Sequence, residues 1–349
     1  MGGRVGEWAG IAQTERDSKI MATPPIWITE ADVTSMISLP DAINALERVL
    51  PMEAEGKAQS MAKGVLMVAE NDAMHVLGSS VGGEMVCGFK NWINVHGKSE
   101  TIVELFSMED GALLAVVEAT ALGQMRTAAM TGVGTRRMAQ AGVDEMGIVG
   151  SGKQALPQVA AVHAVRPLRK LRVFSRNAEN RNRFAEAVRA EFDFEVISCE
   201  TLEDTTRDAP IVTIVTNSTV PFLTADMLAK GSHLNAMGAI TPSRTEFTDD
   251  IFARADLIAV DNVATIRNMS AEFRSAYGDD EASWAKVHPV SELIAKDITR
   301  PTGADLTLFK AMGMGLSDLA LGCEILKRAR AEGYGHELPE RIKTPARLQ

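Results

Sequence analysis

The chain has 349 residues, 46% of them hydrophobic and 23% charged, with a formal net charge of −10 at pH 7. That length exceeds one typical core, so two domains are expected, and the acidity argues against nucleic acid, whose phosphates need clustered Lys and Arg. Cys87, Cys199 and Cys323 lie far apart without C-x-x-C spacing, and no apolar run approaches a membrane span, so no metal site, disulfide framework or membrane contact is expected and a reducing cytoplasm fits best.

Residues 1–20 are polar, lack the apolar core of a secretory signal and are expected to be disordered, with Met21 a candidate start. Ile26-Trp27-Ile28 and the capping pattern Thr29-Glu30-Ala31-Asp32 open the first periodic structure. Leu39-Pro40-Asp41, followed by Ala42, Ile43, Ala45, Leu46, Val49 and Leu50, reads as an amphipathic helix with Pro in its first turn. Residues 65–68, 73–77 and 85–90 are short β-like runs between polar or glycine turns, the spacing of antiparallel strands. Runs 102–107 and 113–117 flank Glu109-Asp110-Gly111, a hairpin signal. The first third is therefore expected to be α+β with a largely antiparallel sheet.

From Met125 to Ala141 the pattern turns helical and closes at Gly142, predicting a helix that bridges two domains. Strands are expected at 147–149, 172–174, 195–197, 211–216, 233–237 and 257–260, alternating with helices, as in a doubly wound parallel sheet. Leu306–Lys310 and Leu316–Arg330 read as an amphipathic helical end with no strand after it, returning to the first domain.

The most informative stretch is Gly150-Ser151-Gly152-Lys153-Gln154-Ala155, directly after the apolar run 146–149. It has the form G-x-G-x-x-G/A of a dinucleotide-binding turn. The first glycine permits the tight turn, the second lets backbone approach a pyrophosphate, and the small third residue allows close helix packing. About twenty residues on, where an acid would accept from the ribose 2′-OH of NAD, the chain reads Ser175-Arg176-Asn177. Donors there suit a 2′-phosphate, so NADP(H) is expected, with NAD(H) the alternative.

Lys63, Lys90 and Arg126 stand at strand ends and on the bridging helix, on separate elements that could converge on one anionic substrate. Thr213-Ile214-Val215-Thr216-Asn217-Ser218 and Met237-Gly238-Ala239 end the fourth and fifth strands at the edge where such sheets bind ligands. His233 and His96 are candidate acid–base groups, although a strand histidine is more often a satisfied core residue. Residues 92–98 and 268–284 are expected to be loops lining the substrate pocket.

Together these residues resemble the ornithine cyclodeaminase/mu-crystallin family. The anchors are Gly88-Phe89-Lys90, Met125-Arg126-Thr127-Ala128-Ala129, the glycine loop, residues 212–216, His233-Leu234-Asn235-Ala236-Met237-Gly238-Ala239 and Thr307-Leu308-Phe309-Lys310-Ala311-Met312-Gly313. The resemblance implies a Rossmann-type nucleotide domain, residues 133–317, and a discontinuous substrate and dimerisation domain, residues 21–132 with 318–349. It places substrate carboxylate recognition on Lys90 and Arg126. The nucleotide set it implies is Gly150 to Ala155, Ser175, Arg176, Asn177, Thr213, Val215, Thr216, Asn217, Met237, Gly238, Ala239 and Arg244, with Arg126, Thr127 and Lys310.

Two departures bear on activity. The third basic residue of the family's substrate site, usually Arg, corresponds to Lys63, which lacks the bidentate fork. The family's cyclodeaminases carry an Asp where this chain has Ile240, within Gly238-Ala239-Ile240-Thr241-Pro242. Without that carboxylate hydride transfer remains available, because the nicotinamide carries that chemistry. The expectation is a homodimeric NAD(P)H-dependent oxidoreductase acting on the C–N bond of a small 2-imino or 2-amino acid, with Lys90 delivering a proton to nitrogen. A cyclodeaminase with recycled NAD and a non-catalytic binder of NADPH or a small molecule are the alternatives.

Overall fold

The structure, a computed structural model, describes residues 23–339 except Asn71, together with 342 and 344–348. The expectation for residues 1–20 and the candidate start at Met21 lie outside the described residues. Seven strands come first: β1 (Ile26–Ile28), β2 (Ala58–Ser60), β3 (Gly64–Met67), β4 (Ala73–Val81), β5 (Val86–Val95), β6 (Lys98–Ser107) and β7 (Leu113–Glu118). A 19-residue helix, Thr120–Met138, leads to β8 (Glu145–Val149), β9 (Lys170–Phe174), β10 (Glu195–Ser198), β11 (Ile211–Ile214), β12 (Ser232–Ala236), β13 (Ala255–Val260), β14 (Val287–Pro289) and β15 (Leu306–Lys310). The helix Gly315–Glu332 and the short β16 (His336–Glu337) close the chain.

The first sheet runs β16-β1-β7-β6-β5-β4-β2, with β3 also on β4, and is antiparallel except where β1 meets β7. Its strands are longer than the sequence suggests. β5 and β6 form one hairpin, with Val95 opposite Lys98, turned by His96 and Gly97 at φ 51° and 75°. Paired left-handed residues match the twist of the flanking strands, which is why Trp92–Val95 is strand and not loop. On the other side, Thr29 and Asp32 form the expected capping box and the helix Leu39–Val49 packs its apolar face inward.

The bridging helix starts five residues before its expected position and stops before Ala139. No side chain of its own caps the start; Glu30, far away in sequence, accepts from the backbone N–H of Thr120 and Ala121. Its middle is buried all round. A Cβ at Gly132 would strike Ile43, and one at Gly134 would strike the Phe309 ring, so small residues let both layers press on this helix.

The second sheet is parallel throughout, in the order β10-β9-β8-β11-β12-β15-β13-β14. Strand order reverses between β8 and β11, the switch point at whose carboxyl edge such sheets bind ligands. Leu306–Lys310, expected as part of a helical end, is instead β15, inserted between β12 and β13 with all five residues buried. Burial on both faces removes the alternation that marks a strand. Residues 268–284, expected as a loop, are largely helical and place Phe273 and Trp284 in the core. The last helix returns to pack on β4, β5 and β6 as expected, but β16 follows it and pairs with β1.

Candidate active site

A cleft of about 630 Å³ opens at the carboxyl ends of β8, β9, β11 and β12. Gly150 makes the turn at φ 120°, where a Cβ would come within 2.5 Å of the Val215 carbonyl oxygen, so only glycine fits. A Cβ at Gly152 would meet nothing within 4 Å, leaving open space above the loop. The helix Ala155–Val165 has no side-chain cap; in its first turn Ala155 N–H donates to the Gly152 carbonyl at 2.9 Å and Pro157 has no N–H, which leaves the Leu156 N–H to face an anion. This cradle fits a dinucleotide pyrophosphate.

Gly150 to Gln154, Ser175, Arg176, Val215, Thr216, Asn217, Met237, Gly238 and Arg244 all line the cleft. Among the described residues, neither the Arg176 nor the Arg244 guanidinium has a partner, and no carboxylate lines this cleft. Other expected nucleotide residues stand outside it. Ala155 is buried as the first residue of its helix, and Asn177 caps the helix Ala178–Glu191 through Asn180 N–H at 2.8 Å. Thr213 is buried and accepts from the Asn235 amide. Lys310 is a correction. Its side chain is fully buried with Nζ 3.5 Å from Glu272, because β15 is an inner strand and holds it in the core.

Glu246, unmarked by any sequence signal, sits at the centre of the strand ends. It is fully buried and accepts from Thr216 N–H and hydroxyl through Oε1, and from Gly238 and Ala239 N–H through Oε2. Those donors are therefore committed to the protein, and the Ala239 backbone serves the frame of the cleft.

A second cavity of about 310 Å³ shares Gln154, Met237 and Ile240 with the cleft, so the two adjoin. Lys90, Arg126, Thr127 and Gly313 line it. Lys90 Nζ and Arg126 Nε each donate at 2.9 Å to the same oxygen, Asp318 Oδ1. The three side chains are 8%, 12% and 0% exposed. With Nε held by Asp318, the two terminal nitrogens of Arg126 have no partner among the described residues and lie beside Gly313, where a Cβ would sit 3.3 Å from Nη1. A glycine at 123 likewise leaves room at Lys90 Nζ. The outcome is a guanidinium fork and an ammonium at a cavity wall, suited to a carboxylate.

Burial pushes the Lys90 ammonium below its ordinary range, partly opposed by Asp318 and reinforced by Arg126 and Lys63. Lys63 is not among the residues that line the cavity; its Nζ lies 5.1 Å from the centre of the Trp92 ring, and Lys90 Nζ is 5.3 Å from that ring. His75 stacks on Trp92 at 4.5 Å. Burial and then Arg126 lower the Lys63 pKa. Of the pocket segments expected from sequence, 92–98 contributes Trp92 and Asn94 to the lining of this cavity and 268–284 contributes nothing.

His233 is a core residue, fully buried between Thr307 and Asn235, and burial pushes it down to about 3. The His96 side chain is 88% exposed at the hairpin turn. Neither lines either cavity. Asp318 went unrecognised in the sequence, although an acid within the apolar stretch from Leu316 to Cys323 is itself a signal of a buried partner.

Fold and site thus define a Rossmann-like nucleotide domain joined to a second domain that carries a cationic cavity. The ornithine cyclodeaminase/mu-crystallin family model matches residues 25–333, and the chain belongs to that family. A Delta(1)-pyrroline-2-carboxylate reductase of Bacillus cereus is 26% identical over 68% of this chain and 73% of its own. Among solved structures, Thermococcus litoralis Delta(1)-pyrroline-2-carboxylate reductase, in complex with NADH and L-proline, superposes with TM-score 0.83 at 23% identity over 90% of this chain and all of that one. An archaeal alanine dehydrogenase dimer with bound NAD gives TM-score 0.83 at 24% identity over 91% and 99%. Among the described residues no helix is long and apolar enough to cross a membrane.

Proposed function

We propose that this chain is a cytoplasmic NAD(P)H-dependent oxidoreductase that reduces the carbon–nitrogen double bond of a small 2-imino acid, with NADP(H) preferred. The observation that carries the reading is that the nucleotide cleft adjoins, through Gln154, Met237 and Ile240, a cavity walled by Arg126 and Lys90. The bound cofactor supplies a hydride to the carbon alpha to the carboxylate. Arg126 holds that carboxylate by its free fork, and the Lys90 ammonium faces the nitrogen and delivers the proton that completes the amine. Similarity to reductases of cyclic and open imino acids supports the same class.

Unpartnered Arg176 and Arg244 support a 2′-phosphate in the cleft. Ile240 borders both cavities, so the position where cyclodeaminases carry an acid faces the joint and offers no proton acceptor here. We divide the chain into a substrate and dimerisation domain, residues 21–132 with 318–349, and a nucleotide domain, residues 133–317. The return of the last helix to the first sheet supports this division. A homodimer is supported by an apolar groove of about 580 Å³ on the first sheet, where Val65, Leu66 and Met74 are exposed.

The test is oxidation of NADPH and of NADH by purified protein with 1-pyrroline-2-carboxylate, 1-piperideine-2-carboxylate, or pyruvate with amines. Oxidation by any of these supports the reading. Tight NADPH binding without oxidation by the whole panel favours a binder, and ammonia release from ornithine with no net cofactor change favours a cyclodeaminase.

A further inference from the structure

We infer that Asp318 is a positioning residue that sets both the aim of Arg126 and the charge state of Lys90, so that one buried carboxylate decides where substrate binds and over what pH range the proton is delivered. The inference rests on the proposed imine reduction only for its kinetic arm.

Three observations carry it. The first is that a single oxygen, Oδ1 of a fully buried side chain, accepts from both cations at 2.9 Å. Second, Arg126 meets Asp318 through Nε, the one nitrogen whose engagement leaves the outer fork intact for a ligand. The third is that Asp318 Oδ2 is buried with no partner in the described structure, so this carboxylate is held for the two cations despite a desolvation penalty.

The neighbours of Lys90 leave Asp318 as the compensating charge. From the bridging helix comes Arg126, and from the segment before β3 comes Lys63. On β4, His75 lies across the Trp92 ring, and on β6 Glu104 is hydrogen-bonded to Asn91 on the alternate face of β5. Burial, Arg126 and Lys63 all favour loss of the Lys90 proton, whereas Asp318 opposes it. Removing the Asp318 charge therefore lets Lys90 lose its proton at lower pH.

The substitution Asp318→Asn keeps shape and one acceptor while removing the charge. Lysines labelled with carbon-13 at Cε report titration directly, with the Lys90 signal assigned by its loss in Lys90→Arg. The expected result is a Lys90 midpoint at lower pH in D318N than in wild type. In imine reduction the alkaline limb of kcat/KM moves the same way, because the reaction needs the ammonium. The loss relative to wild type is then roughly tenfold greater on the alkaline than on the acid side.

An unmoved Lys90 midpoint, or a loss of activity equal at every pH, overturns the inference and leaves Asp318 a packing residue. Should D318N fail to fold, Asp318→Glu is the second probe. With the charge kept but the arm longer, the Lys90 midpoint stays near wild type while KM for the carboxylate substrate rises; a midpoint that falls as far as loss of charge would bring it overturns the assignment. The titration needs no substrate, so failure of every imino acid to react would sink the functional reading and leave this inference standing on its own readout.

Discussion

Glu246 Oε1 accepts both the backbone N–H of Thr216 at 2.6 Å and its hydroxyl at 2.8 Å. The other oxygen takes Gly238 and Ala239 N–H at 2.9 Å, so one buried carboxylate ties together the ends of β11 and β12. In Glu246→Gln an amide NH₂ must replace one of these acceptors and face N–H donors. Stability should fall by about 1–3 kcal/mol, and NADPH should bind more weakly because the cleft wall loses its clamp. Urea unfolding and a fluorescence titration with NADPH check both; unchanged values in both would show that the clamp is dispensable.

Arg126→Lys keeps the charge and removes the fork. The expected loss is about 1.5–3 kcal/mol in transition-state binding, roughly ten- to a hundredfold in kcat/KM for the imino acid, with NADPH affinity retained. Arg126→Ala should abolish turnover while NADPH still binds. Wild-type kinetics in either variant would remove Arg126 from the site.

Cofactor choice is read at Arg176. Its guanidinium lines the cleft without a partner, so Arg176→Ala should weaken NADPH by roughly tenfold or more while leaving NADH nearly unchanged. Equal losses for the two cofactors would mean that this residue does not meet a 2′-phosphate.

His233 predicts an acid limit to stability. Its folded pKa, pushed down to about 3, lies below the ordinary value of 6.5, so between those pH values the unfolded chain binds a proton that the folded chain does not. Stability owed to the neutral ring is full above pH 6.5 and is lost as pH falls, by on the order of 3 kcal/mol at pH 4. Urea unfolding at several pH values measures the slope, which should be shallower in His233→Gln; parallel slopes would contradict the assignment.

Leu66 is 62% exposed beside the apolar groove of the first sheet. Leu66→Glu should leave the folded monomer stable and shift light-scattering mass from dimer to monomer. A dimer that survives the charge would place the interface elsewhere.

The sequence by itself determined the alternation of elements from β8 to β13, the glycine turn at Gly150 and Gly152, the absence of an acid at Ser175–Asn177 and the cationic character of Lys90 and Arg126. Each is carried by residues close together in the chain, where backbone sterics and periodic burial act directly. Tertiary structure alone decided which charges meet. Asp318 lies 228 residues from Lys90 and 192 from Arg126, and only the return of the last helix onto β5 brings the three together. It also decided that Lys310 is a core residue paired with Glu272, and that Glu246 gathers the N–H groups of two strand ends. A buried charge is fixed by whichever partner compensates its desolvation, and that partner is selected by the packing of layers, on which the local sequence is silent.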